Sequence, residues 1–239
     1  MTDYDAALAG QNRIFNVPVV VLISLAVLTL IHLIRVLAGD EIYVWTESVF
    51  AFIPQQYNGT WLQSLPGAQA WSFFSYSLLH GGWMHLATNG LWLVVFGSVV
   101  ARRLGAWRYL IHAAIASAAG AAATLMFHWG DTMYVVGASA IVSGQMAAAV
   151  PLMYASPGGL RQSLQSDLTD VRALKPLELL QRRDALVFLA IWLVVTLLSG
   201  ATGVIEGGET VNIAWDAHLG GFIGGLIAFY LLDPGPVRR

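Results

Sequence analysis

The chain has 239 residues, of which 57% are hydrophobic and only 11% charged. Globular proteins carry about 25% charged residues, and a soluble domain of this length cannot cover so much apolar surface, so the composition describes an integral membrane protein. A formal net charge of −2 argues against nucleic-acid binding, and the absence of cysteine excludes disulfides, thiol catalysis and cysteine-ligated metal.

Residues 1–16 read as a short N-terminal segment. The first apolar run, 17–38, exceeds the core of about 7–15 residues found in signal peptides, so it reads as a retained anchor. The stretch 39–83 follows, with Trp45, Phe50, Phe52, Tyr57, Trp61, Trp71, Phe73, Phe74 and Tyr76. Trp and Tyr favour the membrane–water boundary, so this segment is expected to lie flat in the interface. Further apolar runs fall at 84–100, 109–128, 139–155, 185–200 and 215–232. Each approaches the roughly 20 residues that span a bilayer. The runs 139–155 and 185–200 are short and need neighbours or a thinned bilayer. The expected architecture is all-α: six transmembrane helices in one unit, 17–233, with an interfacial loop 39–83. A cytoplasmic loop 156–183, an outer cap loop 200–214 and a tail 234–239 complete it. In 156–183, Ser156-Pro157-Gly158-Gly159 ends span four and the remainder reads as a solvated amphipathic segment.

Basic residues set the direction. Arg13 precedes span one. Arg102, Arg103 and Arg108 lie between spans two and three, and Arg161, Arg172, Lys175, Arg182 and Arg183 between four and five. Arg238 and Arg239 end the chain. The other loops carry none; Arg35, at the end of span one, is the exception and is expected to snorkel. The positive-inside rule places both termini in the cytoplasm, so spans two, four and six run from outside to inside.

That topology brings four polar residues to one depth near the outer surface. His85 and Asn89 share a face of span two, one turn apart. Ser139 begins span four and His218 lies near the outer end of span six. Intramembrane ionisable residues are functional candidates by default. His32 and His112 lack polar neighbours at helical spacing and read as interior residues; His128 reads as interfacial. Asp216 is two residues from His218, on another helix face, and is assigned to the loop. Small residues repeat every fourth position as Ala140, Gly144 and Ala148 on span four, and as Ala217, Gly221 and Gly225 on span six. This spacing permits close helix approach. Ser143, one turn after Ser139, either bonds its own helix backbone or helps hold His218.

Three motifs on three spans, His80-Gly-Gly-Trp-Met-His85-Leu-Ala-Thr-Asn89, Gly137-Ala138-Ser139 and Ala217-His218-Leu-Gly-Gly221-Phe-Ile-Gly-Gly225, resemble those of the rhomboid family of intramembrane serine proteases. The segment 101–110, ARRLGAWRYL, resembles the family too, and the likeness runs from about residue 70 to residue 235. The resemblance implies that Ser139 is the nucleophile and His218 its general base. It makes His85, Asn89 and the Ser139 backbone N–H the oxyanion hole. His80, Gly137, Ser143 and Gly221 would support the site, and no metal or cofactor is implied. Substrates would be the transmembrane helices of other proteins, cut near the outer face of a bacterial inner membrane. They would enter between spans two and five, beneath a mobile cap containing Gly200, Gly203, Gly207 and Gly208.

The chain departs from the family pattern at Ala140, where glycine is usual, at Ser72, where Trp-Arg is common, and at Ser143, often aromatic. The main rival is a rhomboid-like pseudoprotease that binds or moves membrane clients, but such relatives lack the serine or the histidine. A transporter would show repeated halves, a metalloprotease His-Glu-x-x-His, and an aspartyl protease two membrane aspartates. None of these patterns is in the sequence.

Overall fold

The computed structural model describes residues 17–59, 65–155, 168, 170–206, 209–211 and 213–236. It is a helical bundle. Four helical stretches are long and apolar enough to cross a membrane: Val19–Leu37, Trp83–Phe127, Arg183–Thr202 and Trp215–Leu232, and Ser139–Met153 is a shorter apolar helix. The stretch Trp83–Phe127 contains two spans. It comprises α4 (Trp83–Trp92), a π-turn (Leu93–Gly97) and α5 (Ser98–Phe127), and α5 is broken at Gly105, with φ 75° and ψ 167°. A backbone in that region is essentially restricted to glycine. The Tyr109 hydroxyl lies 3.2 Å from where a Gly97 Cβ would stand. Twelve residues of unbroken helix would separate the two by about 18 Å, so the chain doubles back at Gly105. The bundle therefore has the six expected spans.

Span one is α1 (Val19–Leu37), preceded by Pro18, whose carbonyl accepts the first helical hydrogen bond. The segment after it is not a flat surface layer. It folds as α2 (Asp40–Phe50), a 3-10 turn (Pro54–Tyr57), α3 (Ala68–Ser75) and a second 3-10 turn (Tyr76–Leu78). Trp45 and Phe74 are exposed, as an interfacial role requires, but Phe52, Ile53 and Tyr76 are buried. The rings of Phe52, Tyr57 and Phe73 meet at centroid distances of 5.3–5.9 Å. Phe52 also exchanges two backbone hydrogen bonds with Val135, at 3.0 and 2.9 Å. The segment thus packs its rings into a core shared with Ala121, Val135, Ala140 and Ala217.

Span four, α6 (Ser139–Met153), is the centre of the bundle: 13 of its 15 residues are buried. A helix apolar on all sides belongs inside, which resolves how so short a span is accommodated. Span six, α9 (Trp215–Leu232), packs closely on it. A Cβ on Gly221 would fall onto the Ala140 carbonyl, and one on Gly225 onto the Gly144 Cα. Gly224 is similarly pressed against Ala119 of span three. Span five, α8 (Arg183–Thr202), is attached far more loosely, with only Ala185 and Thr196 buried. A hairpin of β1 (Val204–Glu206) and β2 (Glu209–Val211) connects it to α9, pairing Val204 with Val211. Gly207 and Gly208 of the expected cap lie outside the described residues.

At the end of the bundle remote from Ser139, Arg103 is buried and donates to the Asp233 carboxylate (3.1 Å) and the Leu168 carbonyl (2.7 Å). The Leu174 N–H donates to the Pro151 carbonyl (3.0 Å) and the Tyr230 hydroxyl to the Leu174 carbonyl (2.6 Å). Among its described residues the stretch up to α7 (Pro176–Leu179) is amphipathic, with Leu168 and Leu179 buried and Arg172, Lys175 and Leu177 exposed. Residues 156–167 lie outside the described part.

Candidate active site

Ser139 is the first residue of α6, and the turn before it is set by Gly137, at φ 120°. Two constraints make residue 137 a glycine. Its φ is one that other residues rarely adopt, and a Cβ there would stand 2.7 Å from both Cε1 and Nε2 of His85. The same point is 3.8 Å from Asn89 Nδ2. The backbone leading into Ser139 is thus laid directly against His85 and Asn89. Asn89 is buried and donates one amide hydrogen to the His85 carbonyl at 3.0 Å. An amide NH₂ has two hydrogens, of which this bond uses one. Amides in the first turn of a helix have no intrahelical acceptor, and the helix dipole adds partial positive charge there. The start of α6 is therefore a place where negative charge is stabilised.

His218 approaches through the contact between α6 and α9. Gly221 touches Ala140, the residue after Ser139, and His218 precedes Gly221 by one turn. Ser139, His85 and His218 are each half-buried, whereas Ser143 is buried. The methyl group of Ala140 has a matching vacancy on span three. It lies 2.6 Å from where a Gly120 Cβ would be. The departure from the usual glycine is thus accommodated by Gly120, without separating α6 from α9.

His80 is fully buried above this turn. Its Nε2 faces the Ala138 amide at 3.5 Å, long for a hydrogen bond, and its ring stands edge-on to that of His85, 5.2 Å between centroids. Burial, reinforced by His85, His32 and Arg35, pushes the His80 imidazole down to about 3, so the ring is neutral.

The remaining polar residues sort differently from expectation in two cases. Arg35 does not snorkel: it is 2% exposed and pairs with Glu47 at 3.0 Å. Asp216 is not in a loop. It occupies the first turn of α9, is 1% exposed, and has His128 Nε2 3.9 Å away. His112 is an interior residue as expected, donating from Nε2 to the Gly225 carbonyl at 3.0 Å. His32 packs edge-on against Trp83, with 4.6 Å between centroids. Sequence reasoning assigned no role to Arg35 or Tyr43, although both bond the His80 carbonyl. The available signal was that Arg35 alone broke the charge pattern of the loops. Among the described residues, no group of three or more His, Asp or Glu is arranged to hold a metal ion.

The fold, a bundle of long apolar helices, defines a polytopic membrane protein. A rhomboid domain model matches residues 67–234, most of the chain, and the chain belongs to the rhomboid family. No curated protein gives a significant match to it.

Proposed function

We propose that this protein is an intramembrane serine endopeptidase that cleaves transmembrane segments near the outer membrane face. The observation that carries this reading is the laying of the Gly137–Ser139 turn against His85 and Asn89, with Gly221 clasping Ala140 one turn from His218. Ser139 Oγ attacks the scissile carbonyl as His218 takes its proton. A tetrahedral oxyanion forms, held by the Ser139 N–H and the Asn89 and His85 side chains. His218 then protonates the leaving amine, and water hydrolyses the acyl-enzyme. One oxyanion donor is worth about 2.7–4 kcal/mol in the transition state. Asp216 is not needed as a third member, because it lies on another face of α9.

The charge pattern supports cytoplasmic termini and a site opening outward, which gives water access to Ser139 and fits a bacterial inner membrane. A substrate helix must enter sideways and partly unwind to expose its backbone. The loose attachment of span five supports entry between spans two and five. The family includes pseudoproteases, and one assay separates the readings. Purified wild-type protein should cleave a model transmembrane substrate, and Ser139→Ala and His218→Ala should not, while all three stay folded. A fluorophosphonate probe should label the wild-type protein only. A wild-type protein that binds the substrate without cleaving it would establish the pseudoprotease reading instead.

A further inference from the structure

Arg35 is a buried cation near the end of an otherwise apolar helix. A guanidinium in such a place is costly unless it is fully partnered. Each of its three nitrogens has an acceptor. Nε donates to the Thr46 hydroxyl at 2.8 Å, one terminal nitrogen to the Glu47 carboxylate at 3.0 Å, and the other to the His80 carbonyl at 2.9 Å. The guanidinium also lies 3.9 Å over the Tyr43 ring. The Tyr43 hydroxyl is 3.1 Å from the His80 carbonyl and 2.9 Å from the Gly81 carbonyl. Two side chains, from α1 and α2, thus converge on the peptide that carries His80.

From that peptide the connection continues to the nucleophile turn. The His80 ring faces the Ala138 amide and stands against His85. Four residues earlier, the Tyr76 carbonyl accepts the Gly137 N–H at 3.0 Å, and the Leu79 N–H at 3.2 Å. The segment 76–80 therefore carries the two residues immediately before Ser139. Clamping one end of that segment fixes where the turn sits relative to His85 and Asn89. We propose that Arg35 and Tyr43 are positioning residues that act through the 76–80 segment to hold the Gly137–Ser139 backbone in register with His85 and Asn89. Their catalytic consequence rests on the protease reading above.

The reason to expect an effect on rate is geometric. Oxyanion donors work only when held to within about 0.5 Å of their productive positions, and a displacement of about 1 Å costs on the order of 100-fold. Arg35 is buried and Tyr43 bonds backbone carbonyls, so the expected loss is in kcat and not in KM.

The test compares Tyr43→Phe, which keeps the ring under the guanidinium and deletes one hydroxyl, with Arg35→Lys, which keeps the charge but loses the planar fork. Thr29→Val is the control, because among the described residues the Thr29 hydroxyl bonds its own helix, at the Leu25 carbonyl. We expect kcat to fall about 3- to 10-fold in Tyr43→Phe and about 10- to 100-fold in Arg35→Lys, with KM unchanged and fluorophosphonate labelling slowed alike. Amide hydrogen exchange in peptides covering 136–141 should accelerate in both variants and not in the control. Unchanged exchange at 136–141, or an unchanged kcat in folded variants, overturns the inference. If Arg35→Lys does not fold, Tyr43→Phe decides. The protease reading fails separately: if wild-type protein cleaves nothing, or Ser139→Ala cleaves equally, exchange at 136–141 alone shows whether the clamp holds the turn.

Discussion

Residue 137 shows how little freedom the nucleophile turn has. At φ 120°, with His85 2.7 Å from the missing Cβ, Gly137→Ala meets two penalties together. The backbone strain alone is about 1–3 kcal/mol. The His85 ring must also move, and it is one of the groups the proposed reaction depends on. Gly137→Ala should therefore lose activity and fluorophosphonate labelling well beyond its loss of thermal stability; a folded variant with wild-type labelling would contradict this. His80 gives a second expectation at this scale. Its native value near 3 lies below the ordinary 6.5, so the unfolded chain binds the proton first. The stabilising contribution of the neutral ring is complete above about 6.5 and is lost as pH falls toward 3. Thermal stability should decline on acidification across that window, and His80→Asn should decline less steeply. Parallel pH profiles for the two proteins would show that His80 is not responsible. Ser143, buried one turn below Ser139, remains a direct test of how His218 is held. If its hydroxyl supports the imidazole, Ser143→Ala lowers kcat several-fold at constant KM; wild-type turnover in that variant assigns the hydroxyl to its own helix.

Between elements, contact is governed by absent side chains. Ala140 carries a methyl where the family usually has none, and Gly120 on span three leaves the space for it. Gly120→Ala would place a Cβ 2.6 Å from that methyl, 2.8 Å from the Tyr76 hydroxyl and 2.9 Å from the Ala217 carbonyl. Overpacking of this kind typically costs about 1–3 kcal/mol. Ala140→Gly removes the first of the three clashes, so the double variant should recover part of the loss, a non-additive result expected for touching residues. Strict additivity of melting temperatures would show that the two positions do not touch. The elements also show which features the sequence discloses. Spans were legible because each carries a long apolar run, and the approach of His85 and Asn89 to the Gly137 turn because span ends fix their depth. The inward packing of Phe52 and Tyr76 was not legible, because an aromatic ring at an interface and one in a core have the same composition. Nor was the burial of Arg35. Whether a cation at a helix end reaches water or a partner depends on Glu47 and the His80 carbonyl, and only the folded chain brings these to it. The reversal at Gly105 falls between two apolar runs, and the sequence separates the runs without showing the backbone angle that does it.

At the scale of the molecule, the bundle is tight on one side and loose on the other. Spans three, four and six are locked by glycine contacts, and the Arg103–Asp233 pair ties the end of span two to the end of span six. Two ring pairs help hold span five: Trp192 stacks on Phe222 of span six at 4.7 Å, and Phe188 meets Phe96 of span two at 6.4 Å. Stacking contributes about 0.5–1.5 kcal/mol per pair beyond burial, so parting these contacts is a small cost compared with unpacking α6. If a substrate helix enters there, restraining span five should block its cleavage without disabling Ser139. The native chain has no cysteine, so a pair placed at positions 96 and 188 can be joined selectively by a short bismaleimide. The joined protein should stop cleaving the transmembrane substrate and should still react with a fluorophosphonate, which reaches Ser139 from water. Reducing the restraint by Phe188→Ala should leave cleavage equal to or faster than wild type. Full cleavage by the joined protein would place the entrance elsewhere in the bundle. Loss of both cleavage and labelling would mean that span five helps form the site and does not merely guard it.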